Sequence, residues 1–217
     1  MNPPLNVVSL GEVLWDLLPS GPQLGGAPTN FACHIRALGA DASLVSRVGQ
    51  DPLGDEALRQ LHARSLDLSH VARDPHRPTG TVAVDVGADG QPRFEIIGHV
   101  AWDAIDATAN AFQRVAKADA VCFGSLAQRS PGARRAIQQL VAASAPDTLR
   151  VFDINLRAPF YTGEVIGQSL ELANALKLNE TELPVLAAQF GLSGSLAQQL
   201  ETLAGRFDLD VIALTLG

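Results

Sequence analysis

The sequence has no excess of basic residues, few cysteines and no long hydrophobic run. Its 16 lysines and arginines are outnumbered by 23 aspartates and glutamates, which gives a net charge of −7. Nucleic acids and anionic membranes bind basic surfaces, so this balance argues against both as the main partner. No segment reaches the ~20 apolar residues of a membrane span, and the first residues lack the basic start of a signal peptide. We therefore expect a cytoplasmic protein.

The two cysteines and five histidines are too few and too scattered for a zinc site. Cys33 falls in a predicted helix and Cys122 in a predicted buried strand, so both are expected to be small core residues in a reducing compartment. Hydrophobic residues make up 47% of the chain and charged residues 18%, which favours a folded protein over a disordered one. At 217 residues, we expect one domain with an appendage.

Short apolar runs alternate with amphipathic segments along most of the chain, which is typical of a parallel sheet with helices packed on it. The predicted strands span 5–10, 42–48, 118–123, 149–154, 172–178 and 210–216, and the predicted helices 28–38, 55–64, 105–116, 131–144 and 195–206. Two β-branched runs around Gly87–Gly90 predict a hairpin over 79–97 that projects as a flap. Phe94 and Trp102 are expected in its core, or in contact with a ligand.

The stretch Leu24–Ala32 combines a glycine pair with the start of a predicted helix. Gly25 and Gly26 allow the backbone to turn tightly and a ligand to approach closely. Pro28 suits a first helical turn, and Asn30 lies beside the free backbone N–H groups there. Two interpretations stay open, an ordinary loop-to-helix junction and a small-molecule site.

Polar residues also follow predicted strands, where ligands of open parallel sheets bind. Arg157 comes just after one such strand, and its planar guanidinium suits a hydroxylated or carboxylated ligand. The alternative is a structural ion pair with Asp153 or another carboxylate. Asp16 lies on an extended piece before the glycine pair, and by itself predicts only a cap or an exposed group.

Asn179 and Glu182 stand at the start of another predicted helix with the spacing of a capping box, which explains both residues structurally. An amide oxygen and a carboxylate could equally orient hydrated Mg²⁺, and the spacing does not distinguish these roles.

Together these segments resemble the ribokinase-like (PfkB) carbohydrate kinases, and within them the bacterial fructokinases. The resemblance runs from Val7 to Gly217 and rests on the order and spacing of several motifs: Gly11-Glu12 with Asp16, Gly25-Gly26-Ala27-Pro28-Thr29-Asn30, Arg47-Val48-Gly49-Gln50-Asp51-Pro52-Leu53-Gly54, Thr79-Gly80-Thr81, Ala101-Trp102-Asp103, Phe152-Asp153-Ile154-Asn155-Leu156-Arg157, Lys177-Leu178-Asn179-Glu180-Thr181-Glu182 and Thr215-Leu216-Gly217.

The resemblance implies a three-layer α/β/α domain over 1–217, with a small β-sheet lid formed by elements around 12–20 and 79–98. It implies transfer of the γ-phosphoryl group of ATP to a sugar hydroxyl. The implied sugar-binding residues are Asp16, Gly25, Gly26, Asn30, Phe94 and Arg157. The implied nucleotide-binding residues are Asn179, Thr215 and Gly217, and Asn179 with Glu182 would organise Mg²⁺. By the same analogy, the lid offers a surface for a homodimer.

Members of this family continue beyond the Thr-x-Gly strand to a Gly-x-Gly-Asp segment whose aspartate deprotonates the sugar. The 217 residues contain no such segment, so no catalytic residue is assigned and the expected Asp lies beyond Gly217. We therefore expect a C-terminally truncated and inactive chain that self-associates through an exposed edge at 210–216. Fructose is the expected sugar, from the resemblance around 101–103 and 152–161. Alternatives are an inactive sugar- or partner-binding protein, or a kinase for 2-keto-3-deoxygluconate, ribose or a nucleoside.

Overall fold

The fold is built from short apolar strands joined by amphipathic helices, and a computed structural model describes residues 3–86 and 92–216, without the side chains of 84–86 and 92–94. In chain order the strands are β1 (Asn6–Leu10), β2 (Leu14–Leu18), β3 (Gly21–Gly25), β4 (Asp41–Gly49), β5 (Val71–Asp74), β6 (Gly80–Val86), β7 (Pro92–Ile96), β8 (Ala120–Gly124), β9 (Leu149–Asp153), β10 (Ala175–Asn179) and β11 (Val211–Thr215). The helices are α1 (Ala27–Ala37), α2 (Pro52–Ala63), α3 (Ala109–Val115), α4 (Pro131–Ala142), α5 (Gly163–Leu172), α6 (Leu183–Phe190) and α7 (Leu196–Phe207).

Within the described residues, seven strands form a parallel sheet in the order β11-β10-β9-β8-β1-β4-β5. Side chains of β4 point alternately to the two faces of the sheet. Leu44 and Val48 lie in a core cluster with α1 and α2, and Val45 lies in a second core cluster with α3 to α7. Helices therefore cover both faces, which confirms the predicted three-layer fold. The strand order reverses at β1, and such a switch point opens a crevice at the carboxyl ends of the strands.

A smaller sheet of four described strands, in the order β3-β2-β6-β7, forms the lid. Asp16 on β2 lies opposite Gln23 of β3 and Val82 of β6. The two strands of the predicted hairpin are present as β6 and β7, and its predicted turn at 87–90 lies outside the described residues.

Arg129 fastens the lid to the body. Its guanidinium lies 3.8 Å from the ring centroid of Trp102, pairs with Asp103 at 2.7 Å, and donates to the carbonyl of Ile97 just after β7 at 2.7 Å. Trp102 is completely buried, as expected of a core residue. A cation sandwiched against an aromatic face and a carboxylate is a strong local anchor, so the exit of the lid is held in a fixed place.

Several predicted bounds were wrong. Strand β3 was not predicted, and it forms because the chain turns at Pro19 and Ser20 and returns through Gly25. The predicted helix over 105–116 begins at Ala109, because Thr108 caps it by accepting from the N–H of Ala111. The predicted strand over 172–178 begins at Ala175, since Leu172 ends α5. Neither α5 nor β5 was predicted.

Candidate functional site

A cleft of about 860 Å³ lies between the lid and the carboxyl ends of β1, β8 and β9. The lid lines it with the apolar side chains of Leu14, Leu18, Val82 and Ile96. The polar lining consists of Glu12, Asp16, Asn30, Asp153, Asn155, Arg157 and Lys177. A concave site of this size, with apolar walls and a few convergent polar groups, is typical of a small-molecule site. We call it the lid cleft.

The structure brings four of the predicted sugar-binding residues together, because Asp16, Gly26, Asn30 and Arg157 all line the lid cleft. Gly25 is buried behind them, and a Cβ at this position would lie 2.5 Å from Oδ2 of Asp16. Gly25 therefore gives the Asp16 carboxylate its room rather than contacting the cleft. The side chain of Phe94 lies outside the described residues, and so does Gly217.

Gly26 ends the turn between β3 and α1 with a φ of +103°, a conformation that L side chains rarely adopt. A Cβ here would lie 2.4 Å from the backbone oxygen of Glu12. The same oxygen accepts a hydrogen bond of 2.7 Å from the hydroxyl of Thr29. The glycine turn is thus packed directly on the segment that follows β1, which fixes Asn30 on the first turns of α1.

Glu12 follows β1 and is 97% buried, since only 3% of it is exposed. Its Oε1 accepts from the backbone N–H of Ala27 at 3.2 Å, at the start of α1. Its Oε2 is buried and finds no hydrogen-bond partner among the described residues. Burial raises the pKa of this carboxyl to about 7, against the opposing effects of backbone N–H groups and the nearby Arg157. Glu12 therefore changes charge near neutral pH.

Asp16 is less buried than Glu12, and partial desolvation raises its pKa above the usual range while the charge of Arg157 opposes the shift. The carboxylate can accept hydrogen bonds from hydroxyl groups in the lid cleft. Arg157 is exposed to the cleft and donates to the carbonyl of its neighbour Leu156 at 3.0 Å. It makes no ion pair with any described carboxylate, so its guanidinium is available to a ligand.

The alternative interpretation of Arg157, an ion pair with Asp153, is wrong because Asp153 pairs with Lys177. The Lys177 ammonium lies 3.1 Å from Oδ1 of Asp153, across the paired strands β9 and β10. This pair sets one positive and one negative charge side by side on the wall of the lid cleft.

Asn179 and Glu182 form the predicted reciprocal exchange, but it closes a turn after β10 and does not cap α6, whose N-cap position is Glu182 itself. The N–H of Glu182 donates to Oδ1 of Asn179 at 3.0 Å, and the N–H of Asn179 donates to Oε2 of Glu182 at 2.9 Å. The second carboxylate oxygen of Glu182 accepts from the N–H of Leu156 at 2.8 Å. Glu182 is 4% exposed, so it joins the ends of β9 and β10 from inside the protein.

Thr215 ends β11 in register with Asn179 on β10. It is exposed, its carbonyl accepts from the N–H of Glu180 at 3.1 Å, and its hydroxyl lies 3.4 Å from the carbonyl of Leu178. The predicted nucleotide-binding residues Asn179 and Thr215 are therefore neighbours at the carboxyl edge of the sheet. Lys177 lies two residues before Asn179 on the same face of β10, next to the lid cleft.

A family model for the pfkB family carbohydrate kinases matches residues 22–217. The chain belongs to this family. An uncharacterized sugar kinase of Pyrococcus horikoshii is 28% identical over 200 residues, which cover 84% of this chain and 64% of that protein. The fructokinase of Escherichia coli is 28% identical over 191 residues, which cover 83% of this chain and 62% of that one. The chain thus spans less than two thirds of the length of these two relatives.

Solved structures agree with this assignment. The crystal structure of the Pyrococcus protein in complex with ATP superposes with a TM-score of 0.76 at 29% identity, over 85% of this chain and 66% of that one. The Vibrio cholerae fructokinase with bound fructose, ADP and calcium superposes with a TM-score of 0.78 at 22% identity, over 98% of this chain and 71% of that one. The second likeness concerns the fold alone.

The family implies a metal ion with its nucleotide, and Asn179 with Glu182 is the pair predicted to organise it. No group of three or more His, Cys, Asp or Glu side chains in the described chain could hold a metal. Both carboxylate oxygens of Glu182 accept backbone N–H groups, and Oδ1 of Asn179 accepts three hydrogen bonds. The role of this pair in Mg²⁺ binding stays a prediction. Among the described helices, none is long and apolar enough to cross a membrane.

Sequence reasoning missed four polar groups of the lid cleft as site residues: Glu12, Asp153, Asn155 and Lys177. Glu12 carries the clearest signal, because a glutamate directly after Gly11 and a buried strand is placed at the carboxyl edge of the sheet. Asn155 has a positive φ of 36°, which no pattern in the sequence indicates. Lys177 lies inside a strand, where a lysine predicts an edge strand or a surface position.

Proposed function

We propose that this chain forms the sugar-binding part of an ATP-dependent sugar kinase, with D-fructose as the sugar. The observation that carries the proposal is the convergence of Asp16, Asn30 and Arg157 on one cleft under a β-sheet lid. Carboxylate, amide and guanidinium groups together accept from and donate to several hydroxyls of one ligand. A site built from such partners discriminates against sugars that lack the matching hydroxyl.

The lid supports the proposal, because phosphoryl transfer to a sugar must exclude water as the competing acceptor. Four apolar side chains of the lid face the cleft. Arg129 holds the end of the lid strand β7 by donating to the carbonyl of Ile97. ATP would supply the phosphoryl group with Mg²⁺, and Asn179 and Thr215 are the residues proposed to meet the nucleotide. Charge in such a transition state is offset by positive groups, of which Arg157 and Lys177 lie in the cleft.

The catalytic base is not assigned to any residue of this chain. Asp153 is paired with Lys177 at 3.1 Å, and nothing distinguishes Asp16 as a base from Asp16 as a ligand of hydroxyls. We propose that the 217 residues bind sugar and do not transfer phosphate. Turnover of ATP with fructose by the purified chain would contradict that part of the proposal.

The test is a calorimetric titration of the chain with D-fructose, D-ribose, 2-keto-3-deoxygluconate and adenosine. We expect D-fructose to bind most tightly, and Asp16→Asn to weaken its binding on the order of tenfold or more, because a charged acceptor is lost. Asp147→Asn is the matched control, since Asp147 is exposed in the loop before β9, at the opposite edge of the sheet. Tighter binding of 2-keto-3-deoxygluconate would reassign the substrate to a keto acid held by the unpaired Arg157. Absence of binding to all four would overturn the proposal.

A further inference from the structure

Glu12 has an unmet hydrogen-bonding capacity at the edge of the lid cleft. One oxygen holds the N–H of Ala27, and the other is buried without a partner among the described residues. An unsatisfied buried acceptor of this kind is destabilising, and most native proteins avoid it. The hydrogen bond to Ala27 accounts for one carboxylate oxygen, and no described contact accounts for the other.

A small recess lies beside this carboxyl group. Its volume is about 10 Å³, which is room for a single water molecule or hydroxyl group and too little for a sugar ring. It shares with the lid cleft the residues Glu12, Ala27, Phe31, Leu126, Asp153 and Asn155. Glu12 lines this recess, and because the terminal torsion of a glutamate is broad, its carboxyl group can rotate there.

We propose that Glu12 determines sugar specificity by accepting a hydrogen bond, in its carboxylate form, from one hydroxyl of the bound sugar in this recess. The inference rests on the proposed sugar-binding function of the lid cleft. A ligand hydroxyl would then satisfy the acceptor that the protein leaves free, and a sugar without that hydroxyl would leave it unpaired.

The charge of Glu12 is set by its surroundings on several elements. The charged and titratable groups that face it are Asp16 on β2, Cys122 on β8, Asp153 at the end of β9, Arg157 in the loop beyond, and Lys177 on β10. Burial raises the pKa of the Cys122 thiol, which therefore stays neutral. Asp153 and Lys177 offset each other as an ion pair. With a pKa of about 7, Glu12 itself changes charge between pH 6 and 8.

Two linked effects follow if the carboxylate form receives the hydroxyl. Because the pKa of Glu12 is about 7, fructose should bind about tenfold more tightly at pH 8 than at pH 6. For the same reason, binding at pH 7 should release about half a proton. A purely structural Glu12, acting only through Ala27, would give neither effect.

The experiment is a calorimetric titration with D-fructose at pH 6, 7 and 8, in two buffers that differ in ionisation heat. Glu12→Gln keeps an oxygen for the N–H of Ala27 and replaces the free acceptor with a donor. We expect this variant to bind fructose on the order of 10- to 100-fold more weakly at pH 8, with no pH dependence and no proton release. Glu171→Gln on α5 makes the same charge change on an exposed surface and should match the wild type.

The wild type alone gives a second measurement, which does not depend on how the variant folds. Among the monodeoxy analogues of D-fructose, one should lose both affinity and the pH dependence, because it lacks the hydroxyl that Glu12 receives. The inference is overturned if fructose binds the wild type but Glu12→Gln matches it within twofold with the same pH profile, or if every analogue that binds keeps the pH dependence. Failure of the wild type to bind any sugar would overturn the proposed function and this inference together.

Discussion

Two buried glutamates lie at the carboxyl edge of the same parallel sheet, and they differ in how their carboxylate oxygens are hydrogen-bonded. Glu182, at the β10 end, has both carboxylate oxygens bonded to backbone N–H groups, of Leu156 and Asn179. Glu12, at the β1 end, has one oxygen bonded to the N–H of Ala27 and the other without a described partner. Their exposed fractions are nearly equal, at 4% and 3%. Burial therefore does not distinguish them, and hydrogen bonding does.

The difference separates a structural carboxylate from one available to a ligand. Glu182 uses both carboxylate oxygens to join two strand ends through backbone N–H groups. Oε1 of Glu12 accepts a hydrogen bond from the N–H of Ala27 after the glycine turn, and Oε2 stays without a described partner in a residue that lines the lid cleft. The same residue type, after β1 in one case and after β10 in the other, thus serves the site in one place and the scaffold in the other.

The largest expected effect comes from Glu182→Ala. The change leaves the N–H groups of Leu156 and Asn179 without acceptors and removes a buried side chain, so unfolding free energy should fall by about 4 kcal/mol. Denaturant titration of the variant and the wild type measures this. Glu182→Gln, which keeps one acceptor oxygen, should lose about half as much. A loss below about 1 kcal/mol for the alanine variant would show that Glu182 is not the structural member of the pair.

The next effect is the pH dependence of stability that Glu12 confers. The folded pKa of about 7 lies above the unfolded value of 4.5, so the folded state binds more protons between these values. Stability should therefore fall as the pH rises from about 4.5 to about 7, by about 3 kcal/mol from this group alone, and then level off. In Glu12→Gln this fall should be absent. Denaturant titrations at pH 5 and pH 8 compare the two proteins, and parallel losses in both would contradict the assignment.

The smallest effect concerns Asn179, which caps the turn that Glu182 completes. Asn179→Ala removes the acceptor of three hydrogen bonds and should cost about 1 kcal/mol, the usual range for such a cap. Asn179→Asp keeps the acceptor and is the matched control. Thermal melts at pH 7 measure both. A loss in the aspartate variant equal to that in the alanine variant would mean that the cap geometry is not what stabilises this turn.

The sequence predicts the scaffold well where patterns are local. Alternating apolar runs place β1, β4, β8 and β9 within a few residues, and Gly25-Gly26 followed by Pro28 marks the start of α1 within one. The cap at Asn179 is also local, because all its partners lie within three residues. Such features depend on backbone geometry and short-range hydrogen bonds, which the order of residues specifies directly.

The missed features depend on residues that are distant in sequence. Strand β3 exists because Gly21–Gly25 pairs with β2, although its glycines and proline disfavour a strand in isolation. Asp153 pairs with Lys177 rather than with Arg157, four residues away, because β9 and β10 are neighbours in the sheet. Glu12 becomes a candidate ligand group only when β8 and α1 close around it. Tertiary placement decides each of these, and for Glu12 the sequence indicates only a position at the carboxyl edge of the sheet.

The central claim is that Glu12 keeps a titrating carboxyl group for the ligand, and carbon-13 spectra of side-chain-labelled glutamates test it most directly. We predict one carboxyl resonance that titrates with a midpoint near 7, is absent in Glu12→Gln, and moves toward its deprotonated position when D-fructose is added at pH 7. A spectrum in which no glutamate titrates between pH 6 and 8 would contradict the account. So would a Glu12 carboxyl chemical shift that does not change when saturating fructose is added.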